Sequence, residues 1–192
     1  MSEGVEGSLD RAAPVGGRLN VAEFLALLRA GAVPGGPRAE LVAGRVEVPP
    51  LPSPREVAAV VALASRLEPQ LALRARLAFR PALHLADADL LRPDLALLDA
   101  SPRFGRAAAR PGSEALLVVE AVRGARSLDV RLPRYAAGGV GEAWLLDLAH
   151  GWAEVYRSPG HGRYGSRTLW YPGEPVGVMA LPGVAAEALG VL

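Results

Sequence analysis

The chain has 192 residues, about half of them apolar, and its acids and bases nearly cancel at a formal charge of +1. That length supports a substantial core, and the charge balance excludes a chain-wide basic surface, so any contact with nucleic acid must come from a local arginine patch. With no cysteine, disulfides and thiolate metal sites are excluded.

All 21 basic residues are arginine; lysine and isoleucine are absent, and alanine, glycine and proline are abundant. Such usage points to a GC-rich coding bias. The single Asn and Gln and the two Met also fit a thermophilic source, although codon bias alone produces much of this pattern. No apolar run approaches the roughly 20 residues needed to span a bilayer. The segment 1–7 is acidic and lacks the apolar centre of a secretory signal. A cytoplasmic location is the expectation, and near-neutral charge favours self-association as a homodimer.

Along the chain, residues 1–18 are small and Gly-rich without apolar period, the composition of a flexible arm preceding one domain over 19–192. Order begins at Asn20, which can cap a helix over 21–28, with Glu23 placed to complete a capping box. After the breakers Pro34 to Pro37, segments 39–42 and 45–48 flank Ala43-Gly44 as a hairpin. Ser53-Pro54 leads into a long helix over 55–73, in which Val57, Val60, Val61, Ala64, Leu67 and Leu71 recur at helical spacing. Strands are expected over 76–80, 93–98, 115–122, 142–148, 151–157 and 163–170. Of these, 116–119 is continuously apolar, as befits a central strand covered on both faces. A helix over 128–137 connects the central strand to the next and ends at Gly138-Gly139. The turns Ala149-His150-Gly151 and Ser158-Pro159-Gly160 close an antiparallel meander. The class is α/β with a mixed sheet.

Two acids stand out because carboxylates are poor guests in buried strands. Asp94 follows Pro93 at the start of one apolar strand, and Glu120 lies near the end of another. Together with a backbone carbonyl, that of Ala121, they compose a hard oxygen site suited to Mg²⁺ or Mn²⁺. Such an ion polarises a phosphate and lowers the pKa of its bound water.

The order Pro93-Asp94, Glu120, Arg131 and Tyr135 resembles the Uma-type restriction endonuclease family, within the restriction-endonuclease-like, PD-(D/E)XK superfamily. The resemblance runs from about residue 19 to the carboxyl end. It includes Asn20 to Phe24 as the opening helix, Glu40-Leu41-Val42-Ala43-Gly44 as a hairpin motif, and the stretch from Tyr135 through Gly139-Val140, Glu142 and Trp144 to Asp147. The resemblance implies a restriction-endonuclease-like core, a mixed β-sheet flanked by helices, acting on nucleic acid, most naturally DNA. It implies Asp94 and Glu120 as metal ligands and Glu40 as an accessory acid. The superfamily's lysine two residues after the glutamate is replaced by Val122; in this family it has moved to the next helix, where Arg131 stands here. The family histidine after Ser-Pro is replaced by Glu56. Arginine keeps its proton and cannot act as a base, but its fork can clamp a phosphate. Pro133 distorts the helix carrying Arg131 unless the first turn begins near that residue.

Plainer roles compete for the same residues. Glu120 can pair with Arg131 or Arg123, and Asp94 with Arg92, in a catalytically degenerate binding or homodimeric module. Glu40 can be a solvent-facing hairpin acid. Tyr135, Trp144 and Trp152 suit packing at least as well as base stacking. Arg103, Arg106 and Arg110 form a basic loop able to follow a phosphate backbone or simply to remain solvated. The stretch from Gly160 to Gly165 matches a dinucleotide-binding pattern, but it joins two strands and opens no helix. His84, His150 and His161 lack zinc-ligand spacing. The segment 181–192 reads as an apolar tail docked on the core.

Overall fold

A computed structural model describes residues 17–100, 109–122 and 128–187. Helix α1 (Val21–Arg29) opens with the expected capping box: Asn20 Oδ1 accepts from Glu23 N–H at 2.9 Å, and Asn20 N–H donates to Glu23 Oε2 at 2.9 Å. Strands β1 (Glu40–Val42) and β2 (Arg45–Glu47) pair antiparallel around Ala43 and Gly44, at φ 49° and 78°. Two positive φ values in a two-residue loop match the right-handed twist of the flanking strands. A side chain at Gly44 would also meet Arg18 Cβ at 2.9 Å and the Leu19 carbonyl at 3.1 Å.

Helix α2 (Pro54–Leu67) is shorter than its apolar pattern predicts. It passes into a 3₁₀ turn at Glu68–Gln70, because Pro69 has no N–H for the next helical bond. Its buried face matches the expected one in part, since Val60, Ala64, Leu67 and Leu71 are buried. Ala59, Val60, Leu63, Ala64 and Leu67 face the core, whereas Val57 and Val61 are 45% and 47% exposed. Alanines, which periodicity counts weakly, complete the buried stripe.

The larger sheet has the order β11-β10-β9-β8-β6-β3. Its members are β3 (Ala75–Phe79), β6 (Leu95–Asp99), β8 (Ala115–Val122), β9 (Glu142–Asp147), β10 (Trp152–Gly160) and β11 (Arg163–Trp170). Only the β8–β9 pairing is parallel, as its helical crossover α3 (Leu128–Ala137) requires. Strand β10 runs on through the predicted turn at Ser158-Pro159, and the chain reverses at His161-Gly162 instead. A second sheet, β2-β1-β5-β4-β7, includes two short strands that the sequence hides, β4 (Leu83–Ala86) and β5 (Asp89–Leu91), together with β7 (Arg110–Pro111). The short β12 (Pro175–Gly177) and β13 (Ala185–Glu187) pair with each other.

Side-chain parity in the strands sets the layers. Leu117, Val119 and Ala121 of β8 join α2 in one core, with Leu95 and Leu97 of β6. Ala115 and Val118 of β8, with Ala96 and Leu98 of β6, face Leu83, Leu85 and Tyr135 on the other side. Of the predicted apolar tail, Leu181, Val184 and Ala186 are buried in the α2-side core, and 188–192 lie outside the described residues. Among the described residues no helix is long and apolar enough to cross a membrane.

Helix α3 ends in a Schellman arrangement: Val140 N–H donates to the Tyr135 carbonyl at 3.0 Å and Gly139 N–H to that of Ala136 at 3.2 Å, with Gly139 at φ 80°. Pro133 falls inside this helix, so one backbone bond is missing there. Nearby, the Arg134 side chain donates to the Val130 carbonyl at 2.6 Å and to Asp89 Oδ1 at 2.8 Å. The contrast between the two faces of α2 is testable by urea unfolding. Leu63→Ala is expected to cost about 2–5 kcal/mol through the cavity left behind, and Val61→Ala less than about 1 kcal/mol.

Candidate functional site

Parity places the acids. Leu95 pairs with Val119, so Asp94 and Glu120 meet at the adjoining position of β6 and β8, on the face that α3 crosses. Glu40 opens β1 in the second sheet and is carried to the same place. All three line a cleft of about 420 Å³ with Arg80, Arg92 and Arg131.

Arg131 is the centre of this cleft. Its Nε donates to Glu120 Oε1 at 2.7 Å and its Nη1 to Glu40 Oε2 at 2.6 Å. Nη2 reaches Glu40 Oε1 at 3.3 Å, the Arg92 carbonyl at 3.3 Å and the Tyr135 hydroxyl oxygen at 3.0 Å. Most of the guanidinium's donors are therefore engaged within the protein. Burial opposes its charge, yet Glu120, Tyr135 and Glu40 outweigh that and hold its pKa well above the ordinary arginine value. The Tyr135 hydroxyl donates to Glu120 Oε1, and burial, countered by Arg131 and reinforced by Glu120, raises its pKa far enough that it keeps its proton. Tyr135 is thus both a core residue and a polar member of the site.

Glu40 is 1% exposed, not a solvent-facing hairpin acid. Besides Arg131 it accepts the Arg92 N–H at 2.8 Å. Asp94 does not pair with Arg92 as the simplest alternative expects. Its Oδ1 takes Arg80 Nη1 at 3.1 Å, and its Oδ2 accepts the Ala121 N–H at 3.0 Å. Arg92 instead turns its side chain to the carbonyls of Ala39 at 3.3 Å and Arg80 at 3.5 Å. Burial lowers its pKa, with Glu40 opposing and Arg80 adding to the fall.

Both carboxylates that face each other across β6 and β8 are pushed up. For Asp94 the main cause is burial, partly offset by the Ala121 N–H and by Arg80 and Arg131. For Glu120 burial again leads, Arg131 opposes it, and the Asp94 charge adds to the rise. A cation between them would relieve both.

The donors fit a hard divalent ion. The hydrogen bonds to Glu120 converge on Oε1, and its Oε2 accepts none among the described residues. Among those residues no three acids or histidines converge on one point. An ion would therefore take Asp94 and Glu120 as side-chain ligands and complete its shell from backbone, such as the Ala121 carbonyl, and water.

Arg80 was not legible as a site residue. It follows β3 in a left-handed conformation, φ 47°, which no local motif marks. Glu56 was a readable signal: Ser53-x-x-Glu56 forms a capping box on α2, with Ser53 N–H donating to Glu56 Oε2 at 2.5 Å, and Glu56 also lines the cleft. The loop bearing Arg103 and Arg106 and the alternative partner Arg123 lie outside the described residues. Arg110 pairs with Glu114. Trp144 is core, its indole N–H donating to Glu142 at 2.9 Å, and Trp152 stacks on His150 with ring centres 4.8 Å apart.

A mixed sheet with α2 on one face, α3 crossing the other, and two acids meeting on neighbouring strands beside a helix-borne cation defines a restriction-endonuclease-like nuclease fold. The sequence matches the family described as "Uma2: Putative restriction endonuclease" over residues 21–189, and the chain belongs to that family. Its fold is similar to the crystal structure of a putative nuclease belonging to DUF820 from Anabaena variabilis ATCC 29413. The TM-score is 0.68 at 18% identity, over 85% of this chain and 90% of that one. No curated protein matches the sequence.

Removing Arg131 leaves Glu40 and Glu120 buried beside each other without their cation. Arg131→Met is expected to destabilise the protein by about 3–5 kcal/mol at neutral pH in urea unfolding. The triple variant Glu40→Gln/Glu120→Gln/Arg131→Met should recover most of that loss. A triple variant as unstable as the single one would show that Arg131 contributes through packing instead.

Proposed function

We propose that this protein is a metal-dependent nuclease, hydrolysing phosphodiester bonds in nucleic acid, with DNA as the substrate. The observation that carries the reading is the pair Asp94 and Glu120, meeting on adjacent strands in an open cleft with Glu120 Oε2 left without a partner among the described residues. Bound Mg²⁺ or Mn²⁺ would supply a Lewis acid for the phosphate and a water of lowered pKa.

The protein's own groups do the rest. Asp94 and Glu120 hold the ion, assisted by the Ala121 carbonyl. Tyr135 and Arg131 fix Glu120 by binding one of its oxygens, which turns the other to the cleft. Glu40 acts at one remove: it anchors Arg131 and does not itself receive the ion. Arg131 supplies positive charge near the reacting phosphate without exchanging protons.

The charges in the cleft agree with this division. Four carboxylates, Glu40, Glu56, Asp94 and Glu120, face three guanidiniums, Arg80, Arg92 and Arg131. With all of them ionised the cleft carries one net negative charge, which favours a cation over a phosphate. A divalent ion reverses the sign and makes the cleft a phosphate site.

A second reading rests on the ion pair at 2.7 Å between Arg131 and Glu120. There Arg131 stands in permanently for the metal, and the protein binds nucleic acid or a second copy of itself without cleaving. Cleavage of supercoiled and single-stranded DNA with Mg²⁺ or Mn²⁺ separates the two. Under the first reading the wild type nicks DNA, Asp94→Ala abolishes nicking, and Arg131→Lys retains or increases it. Under the second, wild type and Asp94→Ala are equally silent and Arg131→Lys only lowers stability.

A further inference from the structure

The three arginines of the cleft are held very differently. Arg131 is bound by five acceptor atoms and its side chain is 16% exposed. Arg92 donates to two backbone carbonyls. Arg80 has a side chain that is 32% exposed and meets Asp94 through one nitrogen. Its backbone, by contrast, is anchored, since Arg80 N–H donates to the Asp94 carbonyl at 3.2 Å. The guanidinium therefore hangs from a fixed point beside Asp94 on a loosely held side chain.

The oxygen it touches is the critical one. Asp94 Oδ2 accepts the Ala121 N–H and Oδ1 is held by Arg80, so an ion that binds Asp94 through Oδ1 meets Arg80 directly. A guanidinium and a divalent ion on one oxygen would repel each other strongly in so sheltered a place. Arg80 also borders a second, apolar groove, lined by Val57, Val61 and Phe79, that adjoins the cleft. The methylene stem of an arginine can lie along such a surface while its head stays in water.

Resting on the metal-dependent reading above, we propose that Arg80 is an exchangeable counter-ion: it neutralises Asp94 in the metal-free protein, gives up Oδ1 when the ion binds, and is thereby freed to contact the substrate phosphate. The cleft then gains a phosphate-binding arginine only when it is loaded. Metal-free protein has that arginine committed to Asp94, so nucleic acid is gripped less when it cannot be cut.

The test uses Arg80→Gly, which removes the guanidinium and suits the positive φ at this position, beside Arg80→Asn, which also tolerates that conformation, in case the glycine variant folds poorly. Calorimetric titration with Mn²⁺ should show roughly threefold to tenfold tighter binding than wild type, as expected when a partly exposed ion pair no longer competes. Binding of a short DNA duplex is then measured without divalent ion and with Ca²⁺, an oxygen-seeking ion of the same charge. Without ion, wild type and variant should bind alike. With Ca²⁺ the wild type should bind roughly tenfold tighter, with a salt slope steeper by about one phosphate contact.

Unchanged or weaker Mn²⁺ binding by the variants overturns the proposal while leaving the metal site intact. So does a wild-type advantage on DNA that is the same with and without Ca²⁺, because Arg80 would then be a standing contact. If wild type, Arg80→Gly and Arg80→Asn all fail to bind Mn²⁺, the metal-dependent reading itself falls, and this proposal with it.

Discussion

Arg131 ties together parts of the chain that lie far apart in sequence. From helix α3 it bonds Glu40 on the smaller sheet, Glu120 on the central strand of the larger one, and the Arg92 carbonyl ahead of β6. Its desolvation is tolerable only because two carboxylates and a tyrosine hydroxyl surround it, and their burial is tolerable only because it is there. Neither half is stable alone. A lysine, with a compact head and three donors, could not reach all these acceptors at once. The arginine is therefore a geometric joint as well as a charge, and its side chain fixes how the two sheets meet around the cleft.

Much of this was legible from local patterns. The continuous apolar run of 116–119 marks a strand covered on both sides, and parity along that strand puts Glu120 opposite in direction to Val119 and Ala121. The Pro93-Asp94 step, the Asn20 capping box and the Gly138-Gly139 stop each rest on chemistry confined to a few neighbours. What was hidden depends on distant ones. Strands β4 and β5 are three or four residues long, with polar residues at and between them, and become strands only because β1 and β7 supply their edges. On α2 the spacing marks Val60, Ala64, Leu67 and Leu71 correctly, but Ala59 and Leu63, not Val57 and Val61, complete the face toward the sheet. Arg80 carries no motif at all; only its spatial contact with Asp94 marks it.

A chain without lysine places its own demands on the proposed activity. Where a nearby lysine would serve as both charge and proton carrier, arginine offers charge alone. In the proposed metal-dependent reaction, proton handling would then fall to water on the ion. Burial of Asp94 and Glu120 raises their affinity for protons, and it would likewise strengthen their attraction for a divalent cation placed between them.

The partners of Arg131 also bear on how the protein comes to be folded. Glu40 and Arg131 stand 91 positions apart, and Arg80 and Asp94 only 14. Closing the longer loop carries the larger entropic cost and belongs to the non-local pairing that slows folding in general. The parts of the cleft thus lie on separate stretches of the chain, and burying Glu40 is costly until the chain as far as Arg131 is in place.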